Sequence, residues 1–256
     1  MTHTGRIAIL LFLVLTASGC ARSLPLISHA HIGHSLTTWR DTPNEQGLFV
    51  VAEKETNIAL AQTRLARQTS DNPSVSRQHV DNVINALNPD INAQGPGLGY
   101  GAIRALQGSV DHIQFAAITE DASENIIQHA AVFSESGTSL LNRLQATLEI
   151  AQLAGEISDA ELSGLNQELE QQLQQCVFGD DVEAGLVQLR QQLSSMIGKE
   201  KNPPYHPLGR RYLLGLVRLP NGTWKYDFNN LDSRYAGGGG SSGGSGGGSG
   251  GGSGGY

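Results

Sequence analysis

The 256-residue chain lacks most of the marks by which a sequence announces its chemistry. It has two cysteines, Cys20 and Cys176, and no Cys-x-x-Cys-His, which excludes covalent c-type haem of the usual kind. There is no Gly-x-Ser-x-Gly elbow for a nucleophilic serine. Its glycine-rich stretch, Gly95-Pro96-Gly97-Leu98-Gly99-Tyr100-Gly101, lacks the Gly-Lys-Ser/Thr ending of a phosphate loop and follows no strand pattern. Positive charge is also scarce: the net charge of −7 argues against nucleic acid and against electrostatic docking on anionic lipid. Glu53 and Glu55 are two residues apart and so fall on different faces of a helix, which gives no general acid/base pair there. The composition therefore favours a binding or structural role over an enzyme, and no substrate is indicated.

What is present begins with a leader. Arg6 precedes the apolar run Ile7-Ala8-Ile9-Leu10-Leu11-Phe12-Leu13-Val14-Leu15, and small residues Ala17-Ser18-Gly19 then lead to Cys20. The run is about a dozen residues, short of the ~20 that a spanning helix needs. This segment resembles bacterial lipoprotein precursors, whose lipobox ends in a small residue followed by cysteine, with Ala17 here where leucine is usual. The resemblance implies that residues 1–19 are a signal peptide and that Cys20, diacylated and palmitate-bearing, becomes the first mature residue. Ala21 in place of Asp implies the outer membrane, facing the periplasm or the outside. Two or three acyl chains anchor stably where one would be marginal. A plain cleaved secretory signal is the alternative. Losing Arg6 with the leader takes the charge from −7 to −8. Cys176 then has no intramolecular disulfide partner, and its apolar flanks, Leu173 and Val177, place it in helix packing.

The mature chain reads as mainly α. Residues 20–44 form a His-rich leading segment with no sustained period, extended or looped between Pro25 and Pro43, with Leu36 and Trp39 as packing anchors. About six helices are expected over 45–202. The first runs from Gln46 to Gln68, with Phe49, Ala52, Thr56, Ala59, Thr63 and Ala66 on its inner face. In the second, Ser74 serves as cap and Val75, His79, Val83 and Leu87 share a face. The third carries Ile103, Leu106, Val110, Ile113 and Ala117. The fourth is capped by Asp121 or Ser123, with Ile126, Ala130, Phe133, Gly137, Leu140, Leu144 and Leu148 inward.

A Ser158–Glu161 capping box opens the fifth, and the sixth begins at Val182 and continues through Leu186, Leu189, Leu193 and Met196. Their many glutamines form an uncharged solvent face or serve a partner helix. Residues 203–236 are expected to add a β-hairpin, Arg211–Leu219 and Thr223–Phe228 about Asn221-Gly222, packing Leu214, Leu216 or Trp224 on the helices. Residues 237–256, only Gly and Ser before Tyr256, are expected to be a disordered tail spanning on the order of 25 Å. Such a tail is a solvated or cloning-derived linker, or else a tether with Tyr256 as docking group.

Eight histidines carry the remaining chemistry, and three of them, His29, His31 and His34, fall within six residues. Imidazole is the commonest protein metal ligand because a neutral ring nitrogen offers a lone pair near neutral pH. His29 and His31 project together only from an extended segment, and His31 and His34 only from a helix, so no regular structure aims all three at one ion. His79, His112 and His129 lie one to a helix, and bundles build metal sites from such facing helices. The candidate ligands are therefore His29, His31, His34, His79, His112 and His129, with Glu53, Asp81, Asp111 and Glu124 as outer-shell carboxylates that orient a ring. A nitrogen-dominated set suits copper, zinc, nickel or iron, and two histidines would also serve a non-covalent haem. The di-iron Glu-x-x-His pattern is not repeated on two helices. The resulting expectation is a lipid-anchored helical domain for metal holding or delivery. The competing expectation is a non-catalytic scaffold lipoprotein for an envelope partner, with histidines that only satisfy local hydrogen bonds.

Overall fold

The computed structural model describes residues 26–200, and it is mainly helical there. Seven α-helices follow in order among these residues: α1 (Ile27–Leu36), α2 (Leu48–Gln68), α3 (Pro73–Leu87), α4 (Ala102–Ile118), α5 (Glu124–Gln152), α6 (Asp159–Phe178) and α7 (Leu186–Gly198). Beyond residue 200 only the backbone of Arg210–Arg211, Leu216–Arg218 and Trp224–Tyr226 is described, in antiparallel register. The expected hairpin gains no support from these fragments, whose side chains and intervening loops lie outside the described residues. The leader with Cys20, the packing of Leu214, Leu216 and Trp224, and the Gly/Ser tail lie outside them too.

The apolar stripes set the core. All seven stripe positions of α5, from Ile126 to Leu148, are buried, as are the six inward residues of α2 and Leu162, Leu165, Leu169, Leu173, Cys176 and Val177 of α6. Phe49 and Phe133 meet edge to face at 5.9 Å in the middle of this core. Capping residues end the helices where the sequence changes. Ser123 accepts from the Ile126 amide at 3.1 Å, and the Ser158–Glu161 box opens α6. Two boundaries differ from expectation. Asn72, not Ser74, caps α3, because Pro73 fits the first helical turn, where its missing N–H costs nothing. Val182 is 90% exposed in a turn before α7, where Asp180 accepts the Val182 and Glu183 amides.

The largest departure is α1. No period marks residues 27–36 because the face they bury is made of Ser28, Gly33 and Ser35 alongside Ile32 and Leu36. Small polar residues let α1 approach α4 closely, and the Ser35 and Ser109 hydroxyls hydrogen-bond across the contact. Its N-terminus is capped from elsewhere in the chain: Asp121 accepts the amides of Ile27 and Ser28, the latter at 3.0 Å. Gly47 continues this close packing, since a Cβ there would lie 2.4 Å from the Leu36 carbonyl carbon.

The start of α4 is fixed by a buried acid. Glu55 accepts backbone N–H groups from Leu98 (2.9 Å), Tyr100 (3.2 Å) and Gly101 (3.0 Å), so the glycine-rich stretch is a turn wrapped on a carboxylate. Gly101 takes φ 87°, a conformation open to glycine at little cost.

Cys176 is fully buried, and burial pushes its thiol up to about 12 in spite of a hydrogen bond with Thr147. Only thiolate reacts with alkylating reagents. In a Cys20→Ser chain, iodoacetamide should therefore modify Cys176 only at the rate of global unfolding, a dependence read by mass spectrometry with and without denaturant.

Candidate metal centre

The packing of α1 on α4 brings three imidazoles together. His31 and His34 stand one turn apart on α1, and His112 faces them from α4. Their nitrogen ligand atoms all lie within 4.8 Å of one another, and the Nδ1 atoms of His31 and His112 are 3.0 Å apart. Ring centroids are separated by 5.8 Å (His31–His34), 5.3 Å (His31–His112) and 4.8 Å (His34–His112). Three nitrogens bound tetrahedrally at 2.0–2.1 Å from an ion sit about 3.4 Å apart. The cluster thus needs about an ångström of ring rotation to close on one ion.

Two further aromatics flank it, and the three rings stay part-exposed. The Trp39 ring lies 4.9 Å from His34 and 4.7 Å from His112, and Phe115 lies 5.6 Å from His31 and 6.0 Å from His112. Trp39 is held by the loop after α1, where its amide donates to the Gln46 carbonyl at 3.0 Å.

The cluster disfavours protons. Burial lowers all three imidazoles below the ordinary histidine value. A neighbouring charged ring adds to this at His34, and His31 and His34 together bring His112 to about 4. Asp121 opposes the shift at His31. At neutral pH the rings are therefore uncharged, with lone pairs available. The sign for stability follows directly. Each ring binds its proton more tightly in the unfolded chain, so stability is full above 6.5 and falls as pH drops toward about 4. Urea denaturation of metal-free protein across this range should show that decline, and His112→Leu should flatten it.

The other candidates lie elsewhere. His29, on the same helix, is buried with Nε2 3.5 Å from Glu200 Oε2, as the two-residue offset from His31 requires. His79 does not lean into the core: its Nδ1 lies 2.9 Å from Gln62 Oε1, while α3 buries Ser76, Val80, Val83, Ile84 and Leu87 instead. His129 Nε2 is 3.3 Å from Lys199 Nζ. His3 and His206 lie outside the described residues. None of the four outer-shell carboxylates serves the cluster. Glu53 pairs with Arg190, Asp111 accepts from Gln107, Glu124 accepts from Gln128, and Asp81 is exposed. The carboxylate that does act on the cluster is Asp121, which the sequence offered only as a helix cap. Trp39 had a signal, five residues after His34, but read as a packing anchor.

No family model, curated protein or solved structure matches this chain.

Proposed function

We propose that this chain is a lipid-anchored cell-envelope protein that holds a transition-metal ion through His31, His34 and His112, for storage or delivery. The carrying observation is the convergence of three uncharged imidazoles from α1 and α4 within 4.8 Å. Haem is disfavoured because the ring centroids lie only 4.8 to 5.8 Å apart, which leaves no gap between them for a flat macrocycle. Titration of the full chain with copper, zinc, nickel and iron, followed by calorimetry and elemental analysis, tests the site.

The anchor rests on the leader residues and Cys20. Among the described residues no helix is long and apolar enough to cross a membrane. Radiolabelled palmitate should enter the chain in bacterial cells and fail to enter a Cys20→Ser chain. Label in both would remove Cys20 from the anchor. The same proposal includes a C-terminal hairpin within 203–236 and a solvated Gly/Ser tail, which limited proteolysis should trim first.

A scaffold role for an envelope partner is the competing reading. It is favoured by the exposed Ile27 (61%), Phe115 (46%) and Ile118 (79%). A chain that binds none of the four metals would favour it.

A further inference from the structure

Imidazole serves copper, zinc, nickel and iron alike, so ligand type does not choose among them. Charge and coordination number do. Among the described residues no carboxylate or thiolate joins the three rings. Asp121, the acid that acts on His31, is committed: one oxygen accepts the Ile27 amide, and the other accepts the Ser28 amide and the Thr119 hydroxyl. A divalent ion on three neutral rings would keep its double charge in a half-buried site, and uncompensated buried charge is expensive. A monovalent ion keeps half of it.

The flanks of the cluster point the same way. Divalent zinc completes a four-coordinate shell and nickel or iron a larger one, with water or carboxylate in the added positions. Here Trp39 occupies one flank, its ring tilted 62° to His34 and 61° to His112, and Phe115 occupies another. Neither side chain can supply an oxygen, so only water from the open side of the half-buried cluster could complete a larger shell. Indole is, however, the best aromatic partner for a cation. We infer that the ion is cuprous copper, three-coordinate on His31, His34 and His112, with Trp39 as the aromatic wall against it. The inference rests on the metal-site reading above and selects one ion within it.

The full chain carrying Trp224→Phe leaves Trp39 as its one tryptophan. It is titrated without oxygen against cuprous ion, supplied as the acetonitrile complex, and separately against zinc. Cuprous ion should bind one per chain and quench most of the Trp39 emission, and zinc should bind measurably more weakly. Trp39→Leu should lower cuprous affinity about tenfold and leave zinc affinity unchanged. Circular dichroism checks that the helices persist. Zinc bound as tightly as cuprous ion, or cuprous uptake with Trp39 emission unchanged, overturns this inference and leaves the metal site standing. Uptake of neither ion overturns this inference, and refusal of nickel and iron as well overturns the metal site with it.

Discussion

A chain with His31, His34 and His112 all changed to alanine should lose stoichiometric metal binding, the largest functional effect expected here. Removing an outer-shell partner alone typically costs 10–100-fold in metal affinity, so His112→Ala, which removes a direct ligand, should cost at least about a hundredfold. The loss extends to stability. An ion bridging α1 and α4 would stabilise the folded chain by about 2.7 kcal/mol when present at a hundred times its Kd, and the triple variant should gain nothing from added metal. His79→Ala and His129→Ala serve as controls. Their rings bond Gln62 and lie beside Lys199, outside the three-histidine group, and metal affinity should be unchanged in both. Thermal melts with and without metal, together with calorimetric titration, read every part of this expectation.

The second large effect belongs to Glu55. Its carboxylate is buried and accepts three backbone amides of the 98–101 turn. Glu55→Ala leaves all three donors without that partner, two of them, the Tyr100 and Gly101 amides, buried. Each buried orphan costs about 1–3 kcal/mol, and the whole change should cost about 4 kcal/mol or more. For a domain of this size that lowers the Tm by roughly 10 °C. Glu55→Gln keeps one carbonyl oxygen for two of the amides but turns an N–H toward the third, so an intermediate loss is expected. Because the turn fixes the start of α4, Glu55→Ala should also loosen His112 and weaken metal binding in step with the lost stability. Urea denaturation followed by far-ultraviolet circular dichroism measures the first effect, and calorimetry the second.

The helices that bury apolar side chains were legible in the sequence. The stripe from Ile126 to Leu148 recurs at the helical period because each of its members meets the core, and the Ser158–Glu161 box is a local signal that needs no tertiary knowledge. The helix that carries the site was not legible. α1 packs through Ser28, Gly33 and Ser35, which register as polar in any hydrophobic pattern, and its cap, Asp121, is supplied from 94 residues away. The histidine geometry was half visible. The rule that His31 and His34 share a face only in a helix, and that His29 then points away, is realised once α1 forms. Which distant histidine joins them depends on packing. His112 sits beside the core stripe of α4, at the edge that meets α1, whereas His79 faces α2 and His129 lies near the end of α7. Trp39 and Asp121 carried signals of a packing anchor and a helix cap, and only the fold sets them beside the cluster.

The central claim is that three histidines from two helices hold one metal ion. It is tested most directly by elemental analysis of the full chain, purified without a histidine tag or chelator and then dialysed after loading with copper, zinc, nickel or iron. The account predicts one tightly held ion per chain, absent from the His31→Ala, His34→Ala, His112→Ala variant folded to the same helix content. A chain that retains no ion, or a triple variant that retains as much as the original, would contradict it.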